Sequence, residues 1–314
     1  GHGIVMFLDW SGSMGGILKD TIEQLLVLVE FCRKAGIPYD VYAFSSHRFI
    51  DIDLTGVRRG SREYREASDD YLASHPNWKM SRDSDFKPHD FTLYNFLSSR
   101  LNARAHKAAV TNLYRLGSES YYCPEPFQLG GTPLNEAVIS ALDLVPEFQL
   151  KHDVQIANVV FLTDGDAHGS IGCYGSSRKS FNVRDAKTKK TYKMDDRETD
   201  AYVEMLRDRT GATLISIRLH DSKNLKSLRY RYWNWNDSNW EVKNQKFEAA
   251  AKFYKTNHFC LVENTPYDEE FVVMGDLRVE TDAMEGLPED ASNTRIRNAF
   301  IKGGNRKKSS RVIA

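Results

Sequence analysis

Five oxygen-bearing side chains, drawn from three separated segments, are the part of this sequence most suited to chemistry. Asp9, Ser11 and Ser13 lie in the first segment, Thr132 in the second and Asp164 in the third. Carboxylate and hydroxyl oxygens are the ligands that Mg²⁺ and similar hard cations take, in near-octahedral shells that keep some water. The set therefore predicts one site for Mg²⁺ or Mn²⁺, provided that the fold brings the three segments together.

Each of these segments adjoins a predicted strand or helix. The apolar run Ile4–Leu8 ends directly before Asp9, and the apolar run Val159–Leu162 ends two residues before Asp164. The second segment, Gly130-Gly131-Thr132-Pro133, opens a helical pattern. Open α/β sheets bind ligands in the loops at the carboxyl ends of their strands. We therefore expect the five side chains to meet at one edge of such a sheet.

The pattern resembles the metal-ion-dependent adhesion site of the von Willebrand factor type A (VWA) family. That family has Asp-x-Ser-x-Ser after the first strand, a Thr in a later loop and an Asp after the fourth strand, matching Asp9, Ser11, Ser13, Thr132 and Asp164. The resemblance implies a doubly wound, mainly parallel six-stranded α/β sheet of Rossmann-like type, flanked by helices. It also implies that the hydroxyls touch the cation while the aspartates often act through water, so that an acidic side chain of a protein partner completes the shell.

The segment from the first strand to Phe44 resembles, more specifically, intracellular VWA domains of the cobalt chelatase T subunit type, including phage-encoded relatives. This implies a non-enzymatic, metal-dependent interaction module, an adaptor whose partner is an AAA+ ATPase or its client. One alternative is a subunit of a cobalt- or magnesium-chelatase-like metal-insertion complex. A second alternative is a nucleic-acid-associated protein that uses the basic tail and the aromatic segment Arg229–Trp235.

Two other interpretations of the serines remain open. Ser11 and Ser13 would cap the first helix, with Asp164 merely starting a turn, if the segments had only a structural role. Alternatively, Ser11-Gly12-Ser13-Met14-Gly15 lies between a strand and a helix, as the nucleophile elbow of α/β-hydrolases does, although Ser11 replaces the first glycine of that motif. The hydrolase interpretation leaves Asp9 and Thr132 without a role, so we expect no catalytic residue.

Three further residues are candidates for the rim of the site. Trp10 lies between two predicted ligands, and Asp166 and His168 closely follow a third. An aromatic side chain at a rim often anchors a partner, whereas the alternative for Trp10 is packing against a neighbouring loop. For Asp166 and His168 the alternative to partner contact is an ordinary solvated loop.

The composition is that of a soluble globular chain. The 314 residues are 41% hydrophobic and 27% charged with a formal net charge of +0, so no global electrostatic force favours nucleic acid or membrane. No apolar run reaches the length of a transmembrane helix, and we expect no membrane contact. The 4 cysteines are scattered without a Cys-x-x-Cys pair, which favours reduced thiols and a cytoplasmic location.

The hydrophobic pattern predicts one VWA-like domain over residues 3–265, with insertions at about 46–88 and 167–199. A C-terminal extension with a basic tail follows over 266–314. Predicted strands are Ile4–Leu8, Tyr39–Phe44, Phe91–Phe96, Gln155–Leu162, Ala212–Leu219 and His258–Val262, and a polar hairpin is predicted over Phe181–Tyr192. Predicted helices are Ile17–Ala35, Leu97–Tyr114, Pro133–Phe148, Thr199–Arg209 and Lys243–Tyr254.

Overall fold

The computed structural model describes residues 1–47, 56–58, 61–74, 86–173, 180–195, 197–220, 240–263 and 265–274. Its strands are β1 (His2–Asp9), β2 (Tyr39–Ser45), β3 (Phe86–Lys87), β4 (Thr92–Ser98), β5 (Ile156–Thr163), β6 (Gly172–Cys173), β7 (Phe181–Arg184), β8 (Thr191–Met194), β9 (Thr213–His220), β10 (Phe259–Val262) and β11 (Glu269–Met274). Its helices are α1 (Leu18–Lys34), α2 (Arg62–Ser74), α3 (Ala103–Ser118), α4 (Leu134–His152), α5 (Glu198–Thr210) and α6 (Trp240–Asn257).

A mostly parallel sheet of seven strands, in the order β10-β11-β9-β5-β1-β2-β4, organises the mixed α/β fold. The pairs β2–β1, β1–β5, β5–β9 and β9–β11 are parallel, whereas the outer strands β4 and β10 run antiparallel to their neighbours. The mixed α/β class with a mainly parallel sheet is therefore confirmed. The predicted number of six strands is wrong, because β11 was not foreseen.

Strand β1 lies in the middle of the sheet, and its sequence explains why. Val5 and Phe7 belong to the apolar cluster that also contains residues of α4 and α5. Ile4, Met6 and Leu8 belong to the opposite cluster, with residues of α1 and α3. A strand whose alternating side chains are apolar on both faces is stable only where helices cover both faces of the sheet.

Helix α1 follows the first strand and its loop. Its fully buried positions, Leu18, Ile22, Leu25 and Val29, recur every three or four residues and form one apolar stripe. The helix ends before Gly36, whose φ of 66° lies in the left-handed region that glycine adopts without steric cost. The chain then returns into β2, which gives the parallel unit that the sequence predicted.

The two predicted insertions contribute local structure around this sheet. The polar hairpin is confirmed as the antiparallel pair β7–β8. A short antiparallel pair, β3 with β6, joins the first insertion to the second. Between the hairpin strands, Asp185 forms an ion pair with Arg209 of α5. This ion pair thus connects the β7–β8 hairpin to α5.

The predicted domain boundary at 265 precedes β11, which nevertheless belongs to the central sheet. The basic tail and the aromatic segment 229–235 lie outside the described residues. Among the helices that are described, none combines the length and the apolar character needed to cross a membrane.

Candidate metal centre

Asp9, the last residue of β1, is fully buried and carries the least satisfied carboxylate of the site. Its Oδ2 accepts a hydrogen bond of 2.7 Å from the Thr163 hydroxyl, whereas its Oδ1 has no hydrogen-bond partner. Burial raises the pKa of Asp9 to about 7, although the Thr163 hydroxyl that donates to Oδ2 and the nearby Ser11 and Thr132 hydroxyls lower it; the charge of Asp164 adds to the rise. An unpartnered oxygen in this setting is a strong acceptor without a donor.

The two serines and Asp164 continue the cluster outward to the surface. Ser11 Oγ lies 3.1 Å from Ser13 Oγ, and the Ser13 hydroxyl donates to Asp164 Oδ1 over 3.0 Å. Ser11 is buried and Ser13 is exposed, so the set extends from the interior to solvent. Although Ser11 directly precedes the 3₁₀ helix Gly12–Gly16, its side chain makes no capping hydrogen bond. The capping interpretation therefore does not describe Ser11.

Thr132 reaches the cluster because its loop pairs with the loop after β1. Gly12 N donates to Gly130 O over 2.9 Å, and Gly130 N donates to Trp10 O over 3.2 Å. At Gly130 the backbone passes very close to the end of β2 and the residues after it. A Cβ added there would lie 2.4 Å from His47 N and 2.6 Å from Ser45 Oγ. A glycine is therefore required here for the loop that carries Thr132 to lie against the end of β2.

Three side chains hold the segment that leads into this loop. Trp10 Nε1 donates to Phe127 O over 2.8 Å, and the Tyr94 hydroxyl donates to Pro126 O over 2.6 Å. His47 Nε2 lies 2.7 Å from the carbonyl oxygen of Glu125. Trp10 is completely buried, so its indole packs inside the fold and supports the loop; it does not form part of the surface rim.

Asp166 lies on the exposed side of the third loop, where it meets a buried arginine. Arg218 Nη2 donates to Asp166 Oδ1 over 2.5 Å, and Arg218 Nε donates to Glu270 Oε1 over 2.7 Å. Glu270 is fully buried and Arg218 nearly so. Burial alone would lower the pKa of Arg218, but the two carboxylates outweigh burial and raise it.

His168, the other rim candidate, is tied to the second loop. Its backbone N–H donates to Thr132 O over 3.0 Å, and its ring contacts that of His89 edge to face, with centroids 4.6 Å apart. His89 Nδ1 lies 2.9 Å from Glu136 Oε1, a buried carboxylate in the first turn of α4. The ring of His168 is therefore exposed but supported on one side.

The structure thus brings together all five side chains that the sequence selected. Their oxygens suit a hard cation, and the unpartnered Asp9 Oδ1 is what such an ion would satisfy. In the described part of the chain, no group of three or more His, Cys, Asp or Glu side chains is placed to hold a metal ion. Any site here therefore depends on hydroxyl ligands, which exclude soft metals that require thiolate or imidazole.

The comparisons with known proteins give no family for the chain. No family model matches it, and no curated protein matches it. Its fold is similar to the pilus adhesin SpaC from Lactobacillus rhamnosus GG in its open conformation, with 15% identity, a TM-score of 0.39, and coverage of 96% of this chain and 30% of that chain. A second SpaC structure has 14% identity and a TM-score of 0.37, covering 84% of this chain and 33% of that chain.

A mutant of the PilB minor pilin from Streptococcus sanguinis is also similar, with 11% identity and a TM-score of 0.33. That match covers 80% of this chain and 60% of the pilin. The chain therefore spans about a third of SpaC and less than two thirds of PilB.

These findings correct the predicted VWA assignment. The similar structures are described as a pilus adhesin and a minor pilin, not as VWA domains or chelatase subunits, and no family model supports the resemblance. The assignment rested on spacing and residue type, which record the chemistry of a ligand set and not the ancestry of the chain. The functions as an adaptor for an AAA+ ATPase or as a chelatase-like subunit, and the phage relationship, are wrong with it. The nucleic-acid alternative stays a prediction, because the basic tail and segment 229–235 lie outside the described residues.

The cytoplasmic location is corrected for the same reason, because the similar structures are pilus proteins. That prediction depended mainly on four scattered cysteines. Cys32, Cys123 and Cys260 are free and buried, so packing in the core accounts for them without any argument about redox compartment.

Several contributors to the site were not foreseen from the sequence. Thr163, which fixes Asp9, stands directly before Asp164 and was overlooked as the end of a strand. Arg218 and Glu270 lie inside strands, where the only available signal was a charged residue in an otherwise apolar run. Ser46, whose hydroxyl accepts from Gly131 N over 2.6 Å, lies in a segment that composition marked as an insertion.

Proposed function

We propose that the cluster formed by Asp9, Ser11, Ser13, Thr132 and Asp164 binds one divalent cation, Mg²⁺ or Mn²⁺. The observation that supports this most directly is the Oδ1 atom of Asp9, which is buried and accepts no hydrogen bond. Burying a carboxylate oxygen without a donor costs free energy that native structures normally avoid. A cation would balance the charge of Asp9 and use this oxygen, either directly or through water.

The neighbouring groups favour a hard cation in particular. Ser11, Ser13 and Thr132 contribute neutral oxygens, and Asp164 adds a second carboxylate within hydrogen-bond distance of Ser13. Mg²⁺ is usually bound by one or two carboxylates and keeps several waters, which matches a set that extends from a buried aspartate to an exposed serine.

We also infer that the sheet is doubly wound, and that the cluster lies at its switch point. From β1 the strands proceed through β2 to β4 on one side, and from β5 through β9 to β11 on the other. Asp9 ends β1 and Asp164 follows β5, so the two carboxylates flank the place where the strand order reverses. Open α/β sheets bind their ligands at this position.

A protonated Asp9 is the competing explanation for the unpartnered oxygen, and the experiment separates the two. Purified protein, freed of metal with a chelator, is titrated with MgCl₂ and with MnCl₂ by isothermal calorimetry. We expect about one ion per chain in the wild type. The Ser11→Ala/Ser13→Ala double variant should not bind the ion, because it lacks two of the proposed hydroxyl ligands. If no heat of binding appears in the wild type, a neutral Asp9 explains the site and the proposal is wrong.

A matched control distinguishes the loss of a metal ligand from any general effect of replacing a serine by alanine. Ser140 lies in α4, where its hydroxyl donates to the Ala137 carbonyl within the same helix. Ser140→Ala should bind the ion as the wild type does. Undiminished binding in the Ser11→Ala/Ser13→Ala variant would show that the ion, if bound, occupies another place.

A further inference from the structure

We propose that Arg218 is a positioning residue for the candidate metal centre, holding the loop that carries Asp164 by clamping Asp166. This inference rests on the proposed cation binding and adds to it a residue that would not touch the ion. It is supported by strand register, by two hydrogen bonds and by the burial of the groups involved.

The register of the sheet places Arg218 directly beside the loop. Arg218 on β9 is the Cα partner of Thr163, the last residue of β5. Its guanidinium reaches the residues that follow Thr163, and Nη2 donates to Asp166 Oδ1 over 2.5 Å. The backbone of Arg218 therefore belongs to the sheet, and its guanidinium binds the loop that follows β5.

The loop is fixed on both sides of Asp164. On one side the Thr163 hydroxyl donates to Asp9 Oδ2 over 2.7 Å, and on the other Asp166 is held by Arg218. Asp164 lies between these two points and accepts from Ser13 over 3.0 Å. Releasing Asp166 would leave the bond from His168 N to Thr132 O as the next described attachment beyond Asp164, four residues along the chain.

Glu270 explains why the clamp is rigid. It is fully buried on β11 and accepts from Arg218 Nε over 2.7 Å, so one edge of the guanidinium is fixed by a charge that cannot turn to solvent. The planar guanidinium then presents its other donors in a defined direction. Asp166, although exposed, is thus held against a preoriented partner and not against a flexible surface chain.

Positioning and simple electrostatics predict opposite effects of changing Arg218. If the arginine acted only as a nearby positive charge, weakening it would strengthen cation binding, because like charges repel. If it positions the loop, losing the clamp should weaken binding by about 10-fold or more, as removal of residues that orient metal ligands typically does.

The test uses Arg218→Lys, which keeps a positive charge for buried Glu270 so that the protein folds. A single ammonium cannot reproduce the fork that spans Glu270 and Asp166. The dissociation constant for Mn²⁺ is measured by calorimetry, and we expect it to rise about 10-fold in Arg218→Lys. An unchanged or tighter constant would overturn the inference.

Asp166→Asn, alone and combined with Arg218→Lys, shows whether the arginine acts through Asp166. We expect the two changes to be strongly non-additive, so that Arg218→Lys has little further effect once Asp166 is an asparagine. Fully additive losses would mean that the arginine affects the site by another route and would contradict the inference.

Arg209→Lys is the matched control. Arg209 also joins a buried aspartate, Asp185, but does so at the β7–β8 hairpin. The Arg209→Lys variant should have a lower melting temperature than the wild type, while its dissociation constant for Mn²⁺ stays unchanged within about twofold. A comparable loss of affinity in Arg209→Lys would reduce the Arg218 effect to general destabilisation and overturn the inference.

Hydrogen exchange in metal-free protein separates this inference from the proposed function. Gly165 N donates to the Thr163 hydroxyl over 3.1 Å within the loop, so its exchange reports loop order without any ion. If Gly165 exchanges faster in Arg218→Lys while the wild type binds no cation, the positioning role stays intact and the proposed function is rejected. Unchanged exchange together with unchanged affinity would reject the positioning role alone.

Discussion

The Ser13 hydroxyl donates to Asp164 Oδ1 over 3.0 Å and so joins two loops whose residues are separated by 151 positions in the sequence. The same hydroxyl lies 3.1 Å from Ser11 Oγ. Both hydrogen-bond partners of the Ser13 hydroxyl among the described residues are thus oxygens, and neither is a nitrogen base. This arrangement argues against a nucleophilic serine, because activation of a serine requires a general base within hydrogen-bond reach.

Ser13 should therefore be unreactive toward a fluorophosphonate probe in the folded protein. The acceptor of its proton is a carboxylate that also belongs to the candidate metal centre, and no histidine in the described part of the chain forms a hydrogen bond with Ser13. Mass spectrometry after labelling, with a known serine hydrolase as the positive control, measures this. Labelling at Ser13 that disappears on denaturation would support the hydrolase interpretation.

Asp9→Asn should stabilise the metal-free protein at pH 8 and abolish stabilisation by Mn²⁺. The change removes a buried charge with an unpartnered oxygen, while an amide oxygen can still accept from Thr163. We expect an increase of about 1–3 kcal/mol in the free energy of unfolding, by urea denaturation without metal. The exposed Asp69→Asn is the control and should change neither quantity. A destabilised Asp9→Asn would show that the charged form contributes to the metal-free fold.

Gly130→Ala should destabilise the protein, because the new methyl group would collide with His47 N and Ser45 Oγ at 2.4 and 2.6 Å. Both distances lie well inside van der Waals contact, and one of the atoms is backbone that cannot rotate away. We expect a loss of about 1–3 kcal/mol by urea denaturation. Gly16→Ala is the matched control, since no atom lies within 4 Å of its added Cβ. Equal stabilities of the two variants would contradict the described approach of the loops.

Trp10→Phe should cost about 1–3 kcal/mol, although both side chains are aromatic. The substitution removes the indole N–H that donates to Phe127 O over 2.8 Å, and leaves that carbonyl without this donor. The control is Trp240→Phe, because Trp240 is 62% exposed and should be close to neutral. If Trp10→Phe were as stable as wild type, the indole hydrogen bond would not be holding the loop that leads to Thr132.

Asp185→Asn should lower stability at neutral pH, and this loss should shrink as the pH falls below 3.8. Arg209, together with Thr188 and two backbone N–H groups, holds the pKa of Asp185 well below its ordinary value of 3.8. Because the folded-state pKa is depressed, the charged form stabilises the fold above pH 3.8, and this contribution is lost as the pH falls toward the folded-state pKa.

Loss of one member of a buried ion pair costs about 3–5 kcal/mol, so we expect a difference of this size at pH 7. Urea denaturation of both proteins at pH 7 and at pH 2 measures the change with pH. A difference that stayed constant over this range would mean that folding does not lower the pKa of Asp185.

The sequence predicted the mainly parallel sheet and the meeting of five polar side chains at one edge of it because these signals are local. An apolar run buried on both faces, such as Val159–Leu162, is readable without knowing its neighbours, and so is the position of a polar residue at its end. Strand β11 escaped prediction because it opens with Glu269 and Glu270, which resemble a polar loop. The burial of Glu270 becomes favourable only beside Arg218, which is 52 residues away in the sequence.

Contacts between residues far apart in the sequence also determine the surroundings of the site. Trp10 could pack inside or lie at the rim on sequence evidence, and only the carbonyl of Phe127 at 2.8 Å places it inside. The family and location failed for a different reason. They were inferred from a short ligand pattern, and a pattern of that length constrains local chemistry far more than it constrains relationship or compartment.

The pairing of β1 with β5 has a consequence for the kinetics of folding. Met6 lies beside Val160, so a long segment must close before this contact forms, whereas β1 and β2 can pair across α1 alone. An early β1–β2 unit would contain Asp9, Ser11 and Ser13 but not Asp164. Because a cation would find its complete set of oxygens only after β5 docks, added Mn²⁺ should slow unfolding and leave the rate of folding nearly unchanged.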